Sequence, residues 1–190
     1  MKKHSPPEDV QWSAGTIFTV GHSTRPITEF TALLHIYGVA CLADIRTVPR
    51  SRHNPQFNQE ALEASLEDAQ IGYMPLQALG GLRRATPNSP NTGWRNANFR
   101  GYADYMQTDA FADGLERLIA ASRKRPTAIM CAEAVPWRCH RSLVADALMV
   151  RDIPVVEILS EKDYRAHKLT PFAHVEGTTV TYPPEQASLL

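Results

Sequence analysis

Cysteine is sparse in this 190-residue chain, with only Cys41, Cys131 and Cys139. An odd number without Cys-x-x-Cys spacing excludes a disulfide framework and argues against a structural zinc ribbon. Lysine is also scarce: five stand against fifteen arginines, and twenty basic residues balance twenty acidic ones. Zero net charge removes the general attraction on which non-specific nucleic-acid or membrane binders draw. No apolar run approaches the roughly 20 residues of a spanning helix. Met1-Lys-Lys-His4 carries the charge of a secretory leader, yet Ser5-Pro-Pro-Glu-Asp9 follows where an apolar stretch would stand. Walker, dinucleotide-glycine and nucleophile-elbow patterns are missing. These absences lead to the expectation of a cytoplasmic protein with reduced thiols and no membrane partner.

What is present reads as one α/β domain. Hydrophobic residues make up 43% of the chain, enough for a single core. Residues 1–14 are polar and proline-containing and read as a loose tail, residues 15–165 as the domain, and residues 166–190 as a C-terminal extension that wraps the surface or pairs in a short hairpin. Apolar runs at 16–20, 39–43, 127–131 and 155–159 predict buried strands, and 71–76 a weaker one. Between them lie helix-periodic stretches: one capped by Thr28 and stopped at Gly38, one at 59–70, one from Thr108 to Arg125, and one at about 140–151. Residues 77–102 read as a long loop, unusual inside a compact domain. The expected architecture is Rossmann-like: a mostly parallel sheet of about five strands with helices on both faces.

That alternation gathers the polar residues. His22 and Ser23 follow the first strand, Asp44 and Arg46 the second, and Cys131 and Glu133 the strand at 127. The carboxyl ends of parallel strands share one sheet edge, where ligands bind in open α/β folds. The loop from Cys131 to Arg141 alone holds two thiols, Glu133, His140, Arg138 and Arg141. Seven arginines and no lysine lie between residues 46 and 100, Arg50 and Arg100 among them. From Ala69 to Ala103 there is no acidic residue, and four arginines are interleaved with Tyr73, Trp94, Phe99 and Tyr102. Guanidiniums beside aromatic faces suit a phosphate-bearing small molecule with a base to stack, or single-stranded nucleic acid. The plainer reading is that these arginines pair with the Glu60–Asp68 helix or solvate a surface.

The chemistry stays open at this level. Glu133, His22, His140 and Cys139 are the candidate catalytic groups, and Arg46, Arg138, Arg141, Asp44, Ser23, Arg50, Arg100 and Tyr102 the candidate ligand contacts. Cys139, at a helix start beside arginine, is better placed to be a thiolate than Cys131 at the end of a buried strand. Glu133 reads as a general acid or base, or as the partner of Arg138 or Arg141. Cys131-Ala-Glu133 departs from the zinc-deaminase signature, because no Cys-x-x-Cys follows. Cys131 to Arg138 is one residue longer than the phosphatase spacing, and the loop holds Pro136 and no glycine, so a row of backbone amides is interrupted. No cofactor is expected. A metal held by Cys131, Cys139, His140 and His22 is a minor alternative.

Taken together, Gly21-His22-Ser23, Asp44-Ile-Arg46 with Pro49 and Ser51, Leu79-Gly80-Gly81, Phe99-Arg-Gly-Tyr102-Ala103-Asp-Tyr105-Met106 and Cys131-Ala-Glu133…Cys139-His140-Arg141 resemble the domain of unknown function 488 family over roughly residues 16–160. The resemblance implies a compact prokaryotic α/β protein and supplies no substrate. The residues themselves favour an enzyme acting on a nucleotide, nucleic acid or other phosphate-bearing substrate. The alternatives are a non-catalytic module binding such a ligand and a cysteine-dependent phosphatase or sulfurtransferase-like enzyme. Nothing in the chain fixes the oligomeric state.

Overall fold

A computed structural model describes residues 7–184. Its core is a six-stranded sheet. In chain order the elements are β1 (Ile17–Gly21), α1 (Ile27–Ile36), β2 (Cys41–Asp44), α2 (Gln59–Asp68), β3 (Gly72–Pro75), α3 (Ala97–Tyr105), α4 (Asp109–Ser122), β4 (Thr127–Cys131), α5 (Arg141–Met149), β5 (Val155–Ile158), β6 (Tyr164–Ala166), β7 (His174–Glu176) and β8 (Thr179–Thr181). The strand order is β3-β2-β4-β1-β5-β6. The first five strands are parallel and β6 is antiparallel, while β7 and β8 form a separate hairpin. The expected Rossmann-like α/β architecture is present, with one more strand than the apolar runs mark.

Side chains alternate across the sheet and build two cores. Phe18, Val20, Leu42, Ala128 and Met130 face Phe30, Leu33, Leu62 and Leu66 of α1 and α2. Ile17, Ala43, Ile129 and Cys131 face the other way, toward Leu115 and Leu118 of α4 and Leu143, Val144 and Leu148 of α5. The parity of β4 therefore aims Cys131 at the α5 face. Residues Arg141–Leu148 of α5 are all buried, because the sheet lies on one side and the C-terminal segment on the other. Tyr182 and Val180 of that segment belong to the α5-side core. Trp12 packs against Phe18, Tyr37 and Tyr164 on the opposite face.

Local signals account for most boundaries. The Thr108 hydroxyl accepts from the Phe111 amide and caps α4. Gly38, at φ +65°, ends α1 as expected. The start of α1 differs from expectation: Pro26 precedes the first turn, and Thr28 lies inside it. The 77–102 stretch is also less irregular than its composition implies. A 3-10 turn covers Gln77–Leu79, and α3 begins at Ala97, capped by the Asn96 side chain. Gly101 is needed in α3, because a β-carbon there would press on the backbone of Arg83 to Ala85. The Asp104 carboxylate holds the remaining loop by accepting from Thr86, Ser89 and Asn91. Among the described residues no helix is long and apolar enough to cross a membrane.

Candidate functional site

Three strand ends meet at one edge of the sheet. Gly21 of β1 is in register with Cys131 of β4, and Asp44 of β2 with Met130. The ladder runs past the strands: His22 N–H donates to Cys131 O at 3.0 Å, Ser23 N–H to Ala132 O at 3.0 Å and Ile45 N–H to Met130 O at 3.1 Å. These bonds hold His22 and Arg46 beside the Cys131 loop, as the alternation of strands and helices requires. Ser23 takes φ of 50°, an uncommon conformation for a residue with a β-carbon and one that recurs at functional sites. Gly21 is spatially obligatory. A β-carbon there would overlap the Glu133 carbonyl and crowd the Arg141 guanidinium.

Behind this edge lies a fully buried guanidinium. Arg141 is 0% exposed, and no carboxylate lies within ion-pair distance among the described residues. Its Nε–H donates to Cys131 Sγ at 3.0 Å, Nη1 to the Thr19 hydroxyl at 3.0 Å and Nη2 to the Glu133 carbonyl at 2.7 Å. A buried cation without an anion is costly by several kcal/mol. Cys131 Sγ is the only one of these three acceptors that can ionise near neutral pH. Burial pushes the Cys131 thiol up, but a hydrogen bond from Cys139 and the Arg141 charge outweigh it and bring it down to about 7. Cys139 goes the other way: burial and its bond to Cys131 raise it well above the ordinary thiol value. The proton is therefore held more tightly by Cys139 than by Cys131. The sequence favoured Cys139 as the thiolate, but the helix-start position matters less than the guanidinium, whose side chain reaches Cys131.

Two neutral imidazoles flank the pair. His22 stacks on Phe57 with ring centroids 4.1 Å apart, and burial lowers it to about 4. Its Nδ1–H is assigned as donor to Ser23 O at 2.8 Å, which leaves Nε2 as an acceptor 3.5 Å from Arg46 Nη1. Burial likewise lowers His140 to about 4. Its Nε2–H donates to Ile45 O at 3.2 Å, so Nδ1 presents a lone pair 3.5 Å from Cys139 Sγ. The ring fits because residue 81 is glycine; a β-carbon at Gly81 would collide with it. Asp44 is buried and saturated by the Arg46 amide, the Arg46 guanidinium and the Tyr73 hydroxyl at 2.9 Å. Arg46 is thereby neutralised, and only Nη1 remains toward the cavity.

The cavity in front has a volume of about 400 Å³. His22, Arg46, Arg50, Cys131, Glu133, Arg138, Cys139 and His140 line it. Asp44 and Arg141 sit immediately behind this lining. Arg141, expected as an anion clamp, spends all three guanidinium nitrogens inside the protein. Ser23 lies outside the lining and offers its carbonyl to His22. Arg100 binds the carbonyls of Trp94 and Arg95, and the buried Tyr102 hydroxyl binds Leu79 O. Neither reaches the cavity. The exposed Glu133 carboxylate has no partner among the described residues; its carbonyl, not its side chain, holds Arg141. Composition did not single out Thr47, Val48, Leu82, Asn96 and Asn98 as lining residues. Val48 and Leu82 are large apolar side chains left exposed at 57% and 72%, and such exposure beside a polar cleft is visible only in three dimensions. No group of three metal-binding side chains occurs among the described residues.

The model of one protein family, described as domain of unknown function DUF488, matches residues 26–148, more than half of the chain. The matched span contains the Asp44, Gly80-Gly81, Phe99–Met106 and Cys131–Arg141 motifs, and Gly21-His22-Ser23 lies just before it. No curated protein and no solved structure matches the chain.

Proposed function

The chain belongs to the domain of unknown function 488 family, and we propose that it is an enzyme whose nucleophile is the Cys131 thiolate, acting on a phosphate-bearing small molecule. The observation that carries this reading is the Arg141 guanidinium, fully buried with a thiol in the place of a carboxylate. Charge balance in the interior favours the thiolate, and a thiolate opening onto a cavity is a nucleophile at neutral pH. Arg50 and Arg138 supply the cations for an anionic group: both line the cavity, and neither has an ion pair among the described residues. Val48, Leu82 and Phe99 offer apolar surface to a flat group such as a base. Glu133, at the mouth, serves as the base for a water that resolves a covalent adduct. The α5 amides do not serve as a phosphate cradle. Those of Arg141, Ser142 and Leu143 donate to Cys139 Sγ, Cys139 O and His140 O.

The test is alkylation of the reduced protein by iodoacetamide across pH, with each cysteine followed by peptide mass spectrometry. Cys131 should react with a midpoint near 7, and nucleoside monophosphates or inorganic phosphate should slow the reaction. A midpoint at the ordinary thiol value together with no protection by any anion would overturn the proposal. The unpaired Arg50 and Arg138 also favour a second reading, a binding module without chemistry. Cys131→Ala separates the two. It should keep nucleotide affinity in both cases, and only the enzyme loses formation of a covalent thiol adduct when phosphoester and thioester libraries are screened.

A further inference from the structure

Cys139 has no task in that proposal, yet its placement is specific. Both sulfurs line the same cavity and both contact Arg141, Cys131 through Nε at 3.0 Å and Cys139 through the backbone amide at 3.5 Å. The Cys139 thiol is one of the groups that bring Cys131 down. The third cysteine, Cys41, is 0% exposed on β2 and lines none of this cavity. Both cavity thiols are free in the structure. His140 Nδ1, fixed as an acceptor by the bond from Nε2–H to Ile45 O, faces Cys139 Sγ at 3.5 Å. The arrangement holds a nucleophilic sulfur, a second thiol that shares its cavity and its Arg141 neighbour, and an imidazole beside that thiol.

We infer that Cys131 and Cys139 form a reversible peroxide-modification site that switches the Cys131 nucleophile off. This inference rests on the Cys131 thiolate of the proposed function and adds the regulation of the same sulfur. In the first step the thiolate attacks the terminal oxygen of a hydroperoxide. The S–O bond forms, the O–O bond breaks, and the departing alkoxide or hydroxide takes a proton from water. Sulfur is oxidised to the sulfenic acid and the peroxide is reduced to an alcohol or water. In the second step Cys139 sulfur attacks Cys131 sulfur. The S–S bond forms, the S–O bond breaks, and the hydroxide leaves with the Cys139 proton as water.

The disulfide also has a built-in tendency to reopen. Forming it removes the only anion beside the buried Arg141 among the described residues, and the reduced pair regains that ion pair. Stabilising the thiolate in this way makes a dithiol–disulfide couple more oxidising, so an external thiol reductant restores the active form. Arg141 thus couples the two roles, activating the nucleophile when reduced and destabilising its blocked form.

The experiment treats the reduced full-length protein with one equivalent of hydrogen peroxide, blocks the remaining thiols with N-ethylmaleimide and maps the cysteine peptides by mass. The expected result is a Cys131–Cys139 cross-link with loss of two hydrogens, loss of Cys131 alkylation, recovery of both with dithiothreitol, and an untouched Cys41. Cys139→Ser should abolish the cross-link and leave Cys131 as the sulfenic acid, which a second equivalent of peroxide carries on to sulfinic acid. Sulfenic or sulfinic acid at Cys131 in the unmodified protein, with no cross-link, overturns the switch and leaves the nucleophile standing. Failure of Cys131 to oxidise while still alkylating near pH 7 overturns the switch alone. Resistance to both reagents overturns the switch and the nucleophile together.

Discussion

If the Cys131 thiolate is the counter-ion of Arg141, replacing it with serine should change stability in a pH-dependent way. The serine hydroxyl keeps most of the volume and accepts from Arg141 Nε, but does not ionise. Cys131 is 3% exposed, and its folded-state value of about 7 lies below the 9.0 of an ordinary thiol. A depressed acidic group contributes stability that is fully present above the unfolded value and lost as pH falls through the folded one. The window is therefore pH 9 down to pH 7. Two units at 1.36 kcal/mol each give roughly 3 kcal/mol in full, and about half of that at pH 8. Below pH 7 the variant should trail by only the small pH-independent difference between a sulfur and an oxygen. The comparison belongs in a Cys139→Ser background, where no second thiol can ionise in its place. Urea unfolding under reducing conditions at several pH values between 6 and 9 reads the difference directly. Parallel stability curves across that range would show that the thiol stays neutral, and the charge-balance argument would collapse with them.

The imidazoles make predictions of opposite sign. His22 and His140 are lowered from 6.5 to about 4, so folding excludes their protons. Stability should fall as pH drops from 6.5 toward 4, by up to roughly 3 kcal/mol for each group, and His22→Gln should remove one proton from that uptake in the pH dependence of urea midpoints. His167 behaves in reverse. Burial would lower it, but bonds to Asp146 at 2.9 Å and Glu157 at 2.7 Å outweigh that and raise it from 6.5 to about 9. Its contribution is complete below pH 6.5 and gone above 9, so the gap between the unmodified protein and His167→Gln should narrow by roughly 3 kcal/mol across that interval. Gly21→Ala should destabilise by roughly 1–3 kcal/mol through overpacking against the Glu133 carbonyl. The same change should raise the alkylation midpoint of Cys131, because the displaced group is the Arg141 guanidinium; an unchanged midpoint in a destabilised variant would disconnect Gly21 from the site.

The fold was legible where a pattern has a period, and less so where it does not. Apolar runs marked β1, β2, β4 and β5, because strands covered on both faces need continuous apolar residues. The edge strand β6 escaped because Tyr164-Arg-Ala166 buries one side chain in three, and three residues carry no alternation. Helix α3 escaped behind weak helix formers, Asn96, Asn98 and Gly101, although its Asn96 cap and the spacing of Phe99, Tyr102 and Tyr105 were there to be read. Its stability comes from tertiary contacts, Tyr102 with Phe111 and the Tyr105 hydroxyl with Ala78 O, that no local window contains.

The site divides in the same way, and the division carries the chemistry. That His22, Arg46 and the Cys131 loop share an edge follows from parallel strands alone. Which thiol is activated does not, because it depends on side-chain parity. β4 presents Ile129 and Cys131 to the α5 face, and the first turn of α5 delivers Arg141 to that sulfur. From sequence, Arg138 and Arg141 look interchangeable, two guanidiniums three positions apart. In the fold Arg138 is exposed at the cavity and Arg141 is wholly buried. The buried arginine is therefore the one that sets the charge of Cys131, and the exposed one is free for an anion that arrives from outside. A substitution that exchanges a cation for a neutral group should accordingly act on the nucleophile at 141 and on ligand affinity at 138.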